Sequence, residues 1–243
     1  MDQFIELITK IIPVLIPLAF IPPICIFIWI RNLEKHNKEF WENIILAFVW
    51  GGSIALFLSY ILEISFRNYI SNEFLLIVLF APIVEETLKP LILRVLKRNI
   101  NEIEDGLIYG AIAGLGFSAT ENLVYGSIFW EQGIFVILSL FYIRTIGTSL
   151  LHASTTALTG YGYSQKIINK KSFRYVLPFF IFAILAHSIF NFLAFSSQTS
   201  NHIIGVVLAS VFSVSMMIWV HKKIKYHDKR RIMLKKLMKA DRL

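Results

Sequence analysis

The sequence predicts an all-α polytopic membrane protein, a bundle of about seven transmembrane helices. Of the 243 residues, 56% are hydrophobic and only 16% are charged, and the mean hydropathy is +0.64. Soluble domains usually have about a quarter of their residues charged. A hydrocarbon core about 30 Å thick requires roughly 20 apolar residues in a helix, and seven runs of about that length follow one another along this chain.

The seven runs occupy residues 11–30, 44–62, 74–93, 106–130, 134–160, 176–195 and 203–220. They take up more than half of the chain, which leaves no room for a soluble catalytic domain. We therefore treat residues 1–220 as a single transmembrane domain, followed by a basic tail over residues 221–243. Any chemistry must take place inside the membrane or at its edge.

Lysines and arginines collect on one side of the predicted bundle. They are frequent after the first, third, fifth and seventh runs, whereas the opposite side carries only Lys10 and Arg67. Cytoplasmic loops collect these residues, so we expect an N-terminus outside and a C-terminus in the cytoplasm of a multi-pass protein of the cell membrane. Much of the net charge of +8 lies between Lys222 and Arg242. We expect this tail to lie against anionic lipid headgroups, and expect no nucleic-acid partner.

Ionisable side chains fall inside the predicted runs, where an isolated charge costs about 2.5 to 3.5 kcal/mol. They are Glu85, Glu86, Lys89, Glu121, Arg144, His152 and His187. Lys89 can pair with Glu85 and Glu86, because it follows them by four and three residues on one helix face. Arg144 can pair with Glu121. Three glutamates then face two cations, so one carboxylate is left as a candidate general base, although ion pairing alone is the alternative interpretation.

The sixth run carries a histidine and an asparagine on one face, His187 and Asn191. A histidine can position or deprotonate water, and an asparagine amide can donate to an oxyanion. His152, on the fifth run, has threonines at i−4 and i+4, so a purely structural role stays open for it.

Depth along the helices groups these residues into two layers. At 1.5 Å per residue, Glu85, Glu86, His152 and His187 lie about 10 to 16 Å inside the cytoplasmic ends of their runs. Glu121, Asn191 and Arg144 lie deeper. We therefore expect a layer of bases and histidines below a layer of paired charges. The depth of Glu85 and Glu86 suggests access from the cytoplasmic side, although a water cavity could open toward either side.

Small residues recur every four positions on the fourth run, which predicts close helix packing. They are Gly106, Gly110, Gly114, Ser118, Asn122 and Gly126. Glu121 follows Gly114 by seven residues, so it lies near the same face and points into the bundle.

The sequence excludes several designs of intramembrane hydrolase. All four aspartates lie outside the runs, and no histidine is followed by glutamate, which removes an aspartyl pair and an HExxH zinc site. Ser118 lacks the GxSG context of a rhomboid-type nucleophile, and Cys25 has no histidine in its run. The catalytic design that remains is hydrolysis by a water molecule that a glutamate activates. No cofactor is expected, but zinc held by His152, His187 and a glutamate such as Glu121 stays an open alternative.

Four blocks of the sequence resemble the PrsW family of glutamic-type intramembrane proteases. Residues 81–89, APIVEETLK, resemble its EExxK motif, and Phe117 with Glu121 resembles its FxxxE segment. His152 with the Thr- and Gly-rich stretch after it, and the segment from His187 to Asn191, resemble its third and fourth blocks. The CAAX-prenyl proteases of the wider superfamily typically have EExxxR and FxxxH, where this chain has Pro90 and Glu121.

The resemblance implies that Glu85 and Glu86 activate water with a histidine, and that His187 and Asn191 supply the oxyanion site. It leaves open which glutamate is the base. Bacterial members of the family make the first cut in membrane-bound anti-sigma factors, which implies a membrane protein or membrane-associated peptide as substrate.

Our interpretation of the sequence is a membrane endopeptidase whose catalytic residues are Glu85, Glu86, His187, Asn191, His152 and Glu121. Lys89, Arg144 and Phe117 are expected to support them. A proton- or cation-coupled transporter that uses the same Glu and His side chains is one alternative. A receptor or scaffold without catalytic activity is another.

Overall fold

Seven helices, numbered α1 to α7 in chain order, build the computed structural model, which describes residue 9, residues 11–199 and residues 202–240. They are α1 (Ile12–Arg31), α2 (Trp41–Arg67), α3 (residues 73–99), α4 (Ile103–Phe129), α5 (Ile134–Ile168), α6 (Leu177–Thr199) and α7 (His202–Ala240). The described residues include no strand, which confirms the all-α fold class. Lys10 and residues 241–243 of the tail lie outside the described residues.

Six of these helices are long and apolar enough to cross a membrane, and the chain is a multi-pass membrane protein. The remaining one, α3, overlaps the run predicted at residues 74–93 but carries three charged residues within it, Glu85, Glu86 and Lys89. Each of the other predicted runs also overlaps one helix. The last helix does not end near residue 220, because α7 continues without interruption through the basic segment to Ala240.

Helix α4 lies at the centre of the bundle, and every residue from Glu104 to Ala119 on it is buried. Its small residues allow other backbones to approach. A Cβ atom at Gly110 would overlap the backbone of Thr156 on α5, and one at Gly114 would overlap the backbone of His152. The stripe predicted from the sequence therefore forms the contact with α5, and it brings His152 directly against α4.

A second close crossing joins α4 to α2. The backbone of α2 widens to a π-helical turn at Gly51–Ala55, and a Cβ at Gly51 would overlap the carbonyl group of Ala113. Gly116 lies equally close to the carbonyl of Phe48. Toward their far ends, near Arg67 and Ile128, α2 and α4 leave a space between them.

Candidate active site

Helix α3 is irregular around its charged residues. A π-helical turn at Leu76–Phe80 leads into an α-helical segment, Ala81–Leu88, which tightens to a 3-10 turn at Lys89–Leu91. Pro90 accounts for the change, because its ring carries no N–H for the α-helical ladder. The α-helical segment presents Glu85 and Glu86 to the bundle, where Glu86 is fully buried and Glu85 is 7% exposed.

Lys89 lies at the centre of the charged cluster and is fully buried. Its Nζ is 2.6 Å from Glu86 Oε1, 3.4 Å from Glu85 Oε2 and 2.9 Å from His152 Nδ1. The two ion pairs predicted on this helix are therefore formed. An ammonium group has three N–H donors, and here each has one acceptor.

Glu86 is held by donors from three helices. Besides Lys89, its Oε1 accepts a hydrogen bond from Thr155 Oγ1 at 2.9 Å and lies 2.9 Å from His187 Nδ1. Its second oxygen, Oε2, is buried and has no hydrogen-bond partner among the described residues. Glu86 thus connects α3 to α5 and α6 through a single oxygen atom.

The contacts of both histidines determine where their protons lie. Because Lys89 can only donate, His152 Nδ1 must accept, so a neutral His152 carries its proton on Nε2 and donates to Glu121 Oε2 at 3.0 Å. His187 Nδ1 faces the carboxylate of Glu86, so a neutral His187 carries its proton on Nδ1 and keeps Nε2 as an acceptor. The two rings meet edge to face, 4.9 Å apart.

His152 joins the two layers expected from the sequence. On its far side, Glu121 pairs with Arg144 Nη2 at 2.8 Å, as predicted. Arg144 Nε in turn donates to Asn122 Oδ1 at 2.6 Å, and its guanidinium group lies over the ring of Tyr125. This chain of contacts continues the buried network from α3 through α5 to α4.

Phe117 and Asn191 occupy the edges of the cluster. The ring of Phe117 packs against His152, with centroids 5.2 Å apart, and Lys89 Nζ lies 4.9 Å from its centroid. Asn191 Nδ2 donates to the carbonyl oxygen of Ile77 at 2.9 Å. Ile77 belongs to the π-helical turn of α3, so Asn191 fastens α6 to the irregular part of that helix, with one amide N–H remaining.

A cavity of about 1040 Å³ lies between α2 and α4 and reaches the cluster. Glu85, Phe117 and Glu121 form part of its wall, whereas Glu86 and the two histidines do not. It extends along α2 to Arg67 and along α4 to Ile128. The cavity therefore extends toward the end of the bundle opposite to the basic loops. This is not the cytoplasmic side, which the depth of the glutamates suggested.

Two residues of the site were missed in the sequence. Glu63 lines the cavity, but it lies one position beyond the predicted end of the second run. Thr155 donates to Glu86, and the only sequence signal for it is its position three residues after His152.

The cluster contains a set of groups that could bind a metal ion. One ligand atom each from Glu85, His152 and His187 lies within 4.8 Å of the others, and all three residues are buried. Two imidazoles and one carboxylate are a common donor set for catalytic zinc, so the donor chemistry fits. The carboxylate in this set is that of Glu85, whereas Glu121 contacts Nε2 of His152 and pairs with Arg144. The ammonium group of Lys89 contacts Glu85 and His152, so it competes with a metal ion for these two ligands.

Comparison with protein families gives a match over most of the chain. The family described as PrsW family intramembrane metalloprotease matches residues 39–220, about three quarters of the chain. The matched segment begins just before α2, continues into α7, and includes every residue of the cluster. No curated protein and no solved structure matches this chain.

Proposed function

This chain belongs to the PrsW family of intramembrane proteases, and from that premise we propose that it hydrolyses peptide bonds with water activated by glutamate and histidine. Its substrate is a membrane protein or a membrane-associated peptide. Membership of a protease family disfavours the transporter and scaffold alternatives. The observation that carries the catalytic proposal is the different environment of two adjacent carboxylates, Glu85 on the cavity wall and Glu86 behind three donors.

Glu85 is the general base in this proposal. It borders the cavity from which water and substrate arrive, and its contacts with Lys89 and His152 are long, 3.4 and 3.7 Å. A carboxylate that keeps lone pairs available near the cavity can accept a proton from water. Glu86 is instead a positioning residue, because it is fully buried away from the cavity and its Oε1 already contacts Lys89, Thr155 and His187.

His187 is the second proton-transfer group. Glu86 holds its Nδ1–H, which fixes the tautomer and leaves Nε2 able to accept from Glu85 the proton taken from water and then to donate it to the leaving amine, so that Glu85 returns to its ionised form. His152 uses both nitrogens, toward Lys89 and Glu121, so it orients the lysine and the glutamate. Asn191 keeps one amide N–H beyond its bond to Ile77, and we assign that N–H to the oxyanion of the tetrahedral intermediate.

A metal ion is a further element that the family description raises. Glu85, His152 and His187 would hold it, and zinc supplies a polarised water and a Lewis acid for the carbonyl group. Without an ion, Lys89 supplies the positive charge beside Glu85 and His152. The protein groups alone are therefore sufficient for proton transfer and charge stabilisation in this proposal, and no cofactor is assigned.

The cavity suggests how a substrate reaches Glu85. Its wall contains apolar side chains of α2 and α4, such as Phe57 and Val124, with Glu63 and Arg67 on α2. An unwound apolar segment of a membrane protein fits such a groove, because apolar side chains contact the wall while the peptide groups reach Glu85 and Glu121. We therefore assign the groove between α2 and α4 to the substrate.

The basic end of α7 supports a second kind of contact, with anionic lipid. A groove between α1 and α7 is lined by Trp29 and by the lysines Lys222, Lys225 and Lys229. Lysines beside an interfacial tryptophan are typical of a headgroup region. We propose that acidic phospholipid occupies this groove.

The experiment that tests the catalytic proposal uses the purified protein in detergent with a single-span reporter substrate. Glu85→Gln and His187→Ala are expected to lower kcat by about 10²- to 10⁴-fold, with little change in KM. Glu73→Gln is the matched control, because Glu73 is an exposed glutamate at the start of the same helix. Full activity of Glu85→Gln would reject Glu85 as the base. Proton or cation flux in liposomes without any cleavage would instead favour the transporter.

A further inference from the structure

A second cluster of buried carboxylates lies at the opposite end of α4 from Glu121. It combines Glu34, from the loop between α1 and α2, with Glu102 and Asp105 at the start of α4. Asp105 and Glu121 are separated by 16 residues, or about 24 Å along the helix. The cluster is therefore separate from the catalytic site, and none of its residues has a role there.

The three side chains converge on one point. One carboxylate oxygen from each of Glu34, Glu102 and Asp105 lies within 4.8 Å of the other two. Glu34 and Asp105 are fully buried, and Glu102 is partly buried. Like charges at this separation repel one another, so the arrangement requires a compensating positive charge or protonation.

Donors that always carry a proton leave four of these oxygens unsatisfied, and the buried Glu39 hydrogen-bonds to Asp105 only while one of the two carboxyl groups is protonated. Both oxygens of Glu34, Oδ1 of Asp105 and Oε2 of Glu102 are buried without a hydrogen-bond partner among the described residues. Oδ2 of Asp105 accepts the backbone N–H groups of Asn101 and Glu102, so the side chain is fixed with its other oxygen unused. Buried polar atoms without a partner are rare in native proteins, and four of them on three converging carboxylates require an explanation such as a bound ion.

Neighbouring cations supply little compensation. Arg231 of α7 forms an ion pair with Glu102. Lys38 donates to Asn32, and His36 faces Asp228, so neither is directed at Glu34.

We propose that Glu34, Glu102 and Asp105 form a binding site for a hard divalent cation, Ca²⁺ or Mg²⁺. The donor set consists of oxygens only, which these two ions prefer, and it lacks the imidazole or thiolate that selects zinc. The bound ion links the α1–α2 loop to the start of α4, and through Glu102 and Arg231 it also reaches α7. The site is thus a structural clamp on three segments at one end of the bundle.

Equilibrium dialysis of the full chain in detergent, stripped with EDTA and then freed of the chelator, tests the proposal. Radioactive Ca²⁺ is expected to occupy one saturable site at neutral pH, and Glu34→Gln is expected to weaken binding by about tenfold or more. Glu42→Gln removes an exposed glutamate at the same end of the bundle and is expected to leave binding unchanged. Competition with MgCl₂ distinguishes the two ions.

Three results would overturn the proposal. The first is that neither ion binds saturably to the wild type. The second is that Glu34→Gln binds the ion as well as the wild type does. The third is that Glu85→Gln loses binding while Glu34→Gln keeps it, which would assign the ion to the catalytic cluster. Glutamine keeps the shape of Glu34 without its charge, so the ion-free variant is expected to unfold at a temperature no lower than that of the ion-free wild type. If Glu34→Gln does not fold, Glu102→Gln takes its place, because Glu102 is only partly buried.

Discussion

Nζ of Lys89 lies 2.6 Å from Oε1 of Glu86, and both side chains are fully buried. Removal of one member of such a pair is strongly destabilising, because it leaves the other charge unpaired in a low dielectric. In this chain the consequence is larger, since the same ammonium group also donates to Glu85 and His152. Lys89 therefore organises the site as well as neutralising it.

Lys89→Met tests this role. We expect it to lower the free energy of unfolding by about 3 to 5 kcal/mol, because it leaves Glu86 charged and buried. The double variant Lys89→Met with Glu86→Gln removes both charges and should recover most of that stability, while reporter cleavage stays absent in both. Unfolding by SDS in mixed micelles measures the difference. A single variant as stable as the wild type would contradict the assignment.

Thr155→Val tests the hydrogen bond that holds Glu86 from α5. The substitution keeps the volume of the side chain but removes the donor 2.9 Å from Glu86 Oε1. We expect a loss of about 1.5 to 3 kcal/mol in stability, because the acceptor is charged, together with a lower kcat. Thr159→Val is the control one helical turn away, because the hydroxyl of Thr159 is buried without a partner among the described residues. That control should be neutral or slightly stabilising, and equal effects of the two substitutions would argue against the bond.

Gly114→Ala tests the crossing of α4 and α5 that positions His152. An added Cβ would overlap the carbonyl group of His152, so the two helices must separate. We expect a destabilisation of about 1 to 3 kcal/mol and a larger loss of kcat than of substrate affinity. At Gly147 the nearest atom to an added Cβ is 3.4 Å away, so Gly147→Ala should be tolerated. Melting curves and kinetics of both variants provide the comparison.

Removal of metal ions tests the part played by Lys89 as the cation of the site. With Lys89 between Glu85 and His152, we expect reporter cleavage to persist after treatment with 1,10-phenanthroline. Loss of cleavage that is restored by stoichiometric Zn²⁺ would show the opposite. It would assign the ion to Glu85, His152 and His187.

Much of the fold and several contacts of the site could be predicted from the sequence because they depend on local spacing. The pairs of Lys89 with Glu85 and Glu86 follow from positions three and four residues apart on one helix. The pair between Glu121 and Arg144 follows from the cost of leaving either charge alone in a membrane.

Features that depend on how helices meet could not be predicted in this way. The donation from Thr155 to Glu86 depends on the rotation of α5 against α3. The direction of the cavity depends on where α2 and α4 diverge, which the apolar pattern does not encode. The cluster of Glu34, Glu102 and Asp105 was overlooked because its residues lie outside the apolar runs and come from segments almost 70 residues apart.

The uninterrupted course of α7 has a mechanical consequence. At 1.5 Å per residue its 39 residues span about 58 Å, roughly twice the hydrocarbon thickness of a bilayer. Arg231 is tied to Glu102, and about 14 Å of helix continues from there to Ala240. A continuous helix is stiff over such a length, so a small tilt at Arg231 swings the distal end through a larger arc. The last turns of α7 therefore move farther than the segment near Arg231. A spin label on these turns, paired with a second label on the bundle, would report rearrangements at the membrane surface as changes in the distance between the two labels.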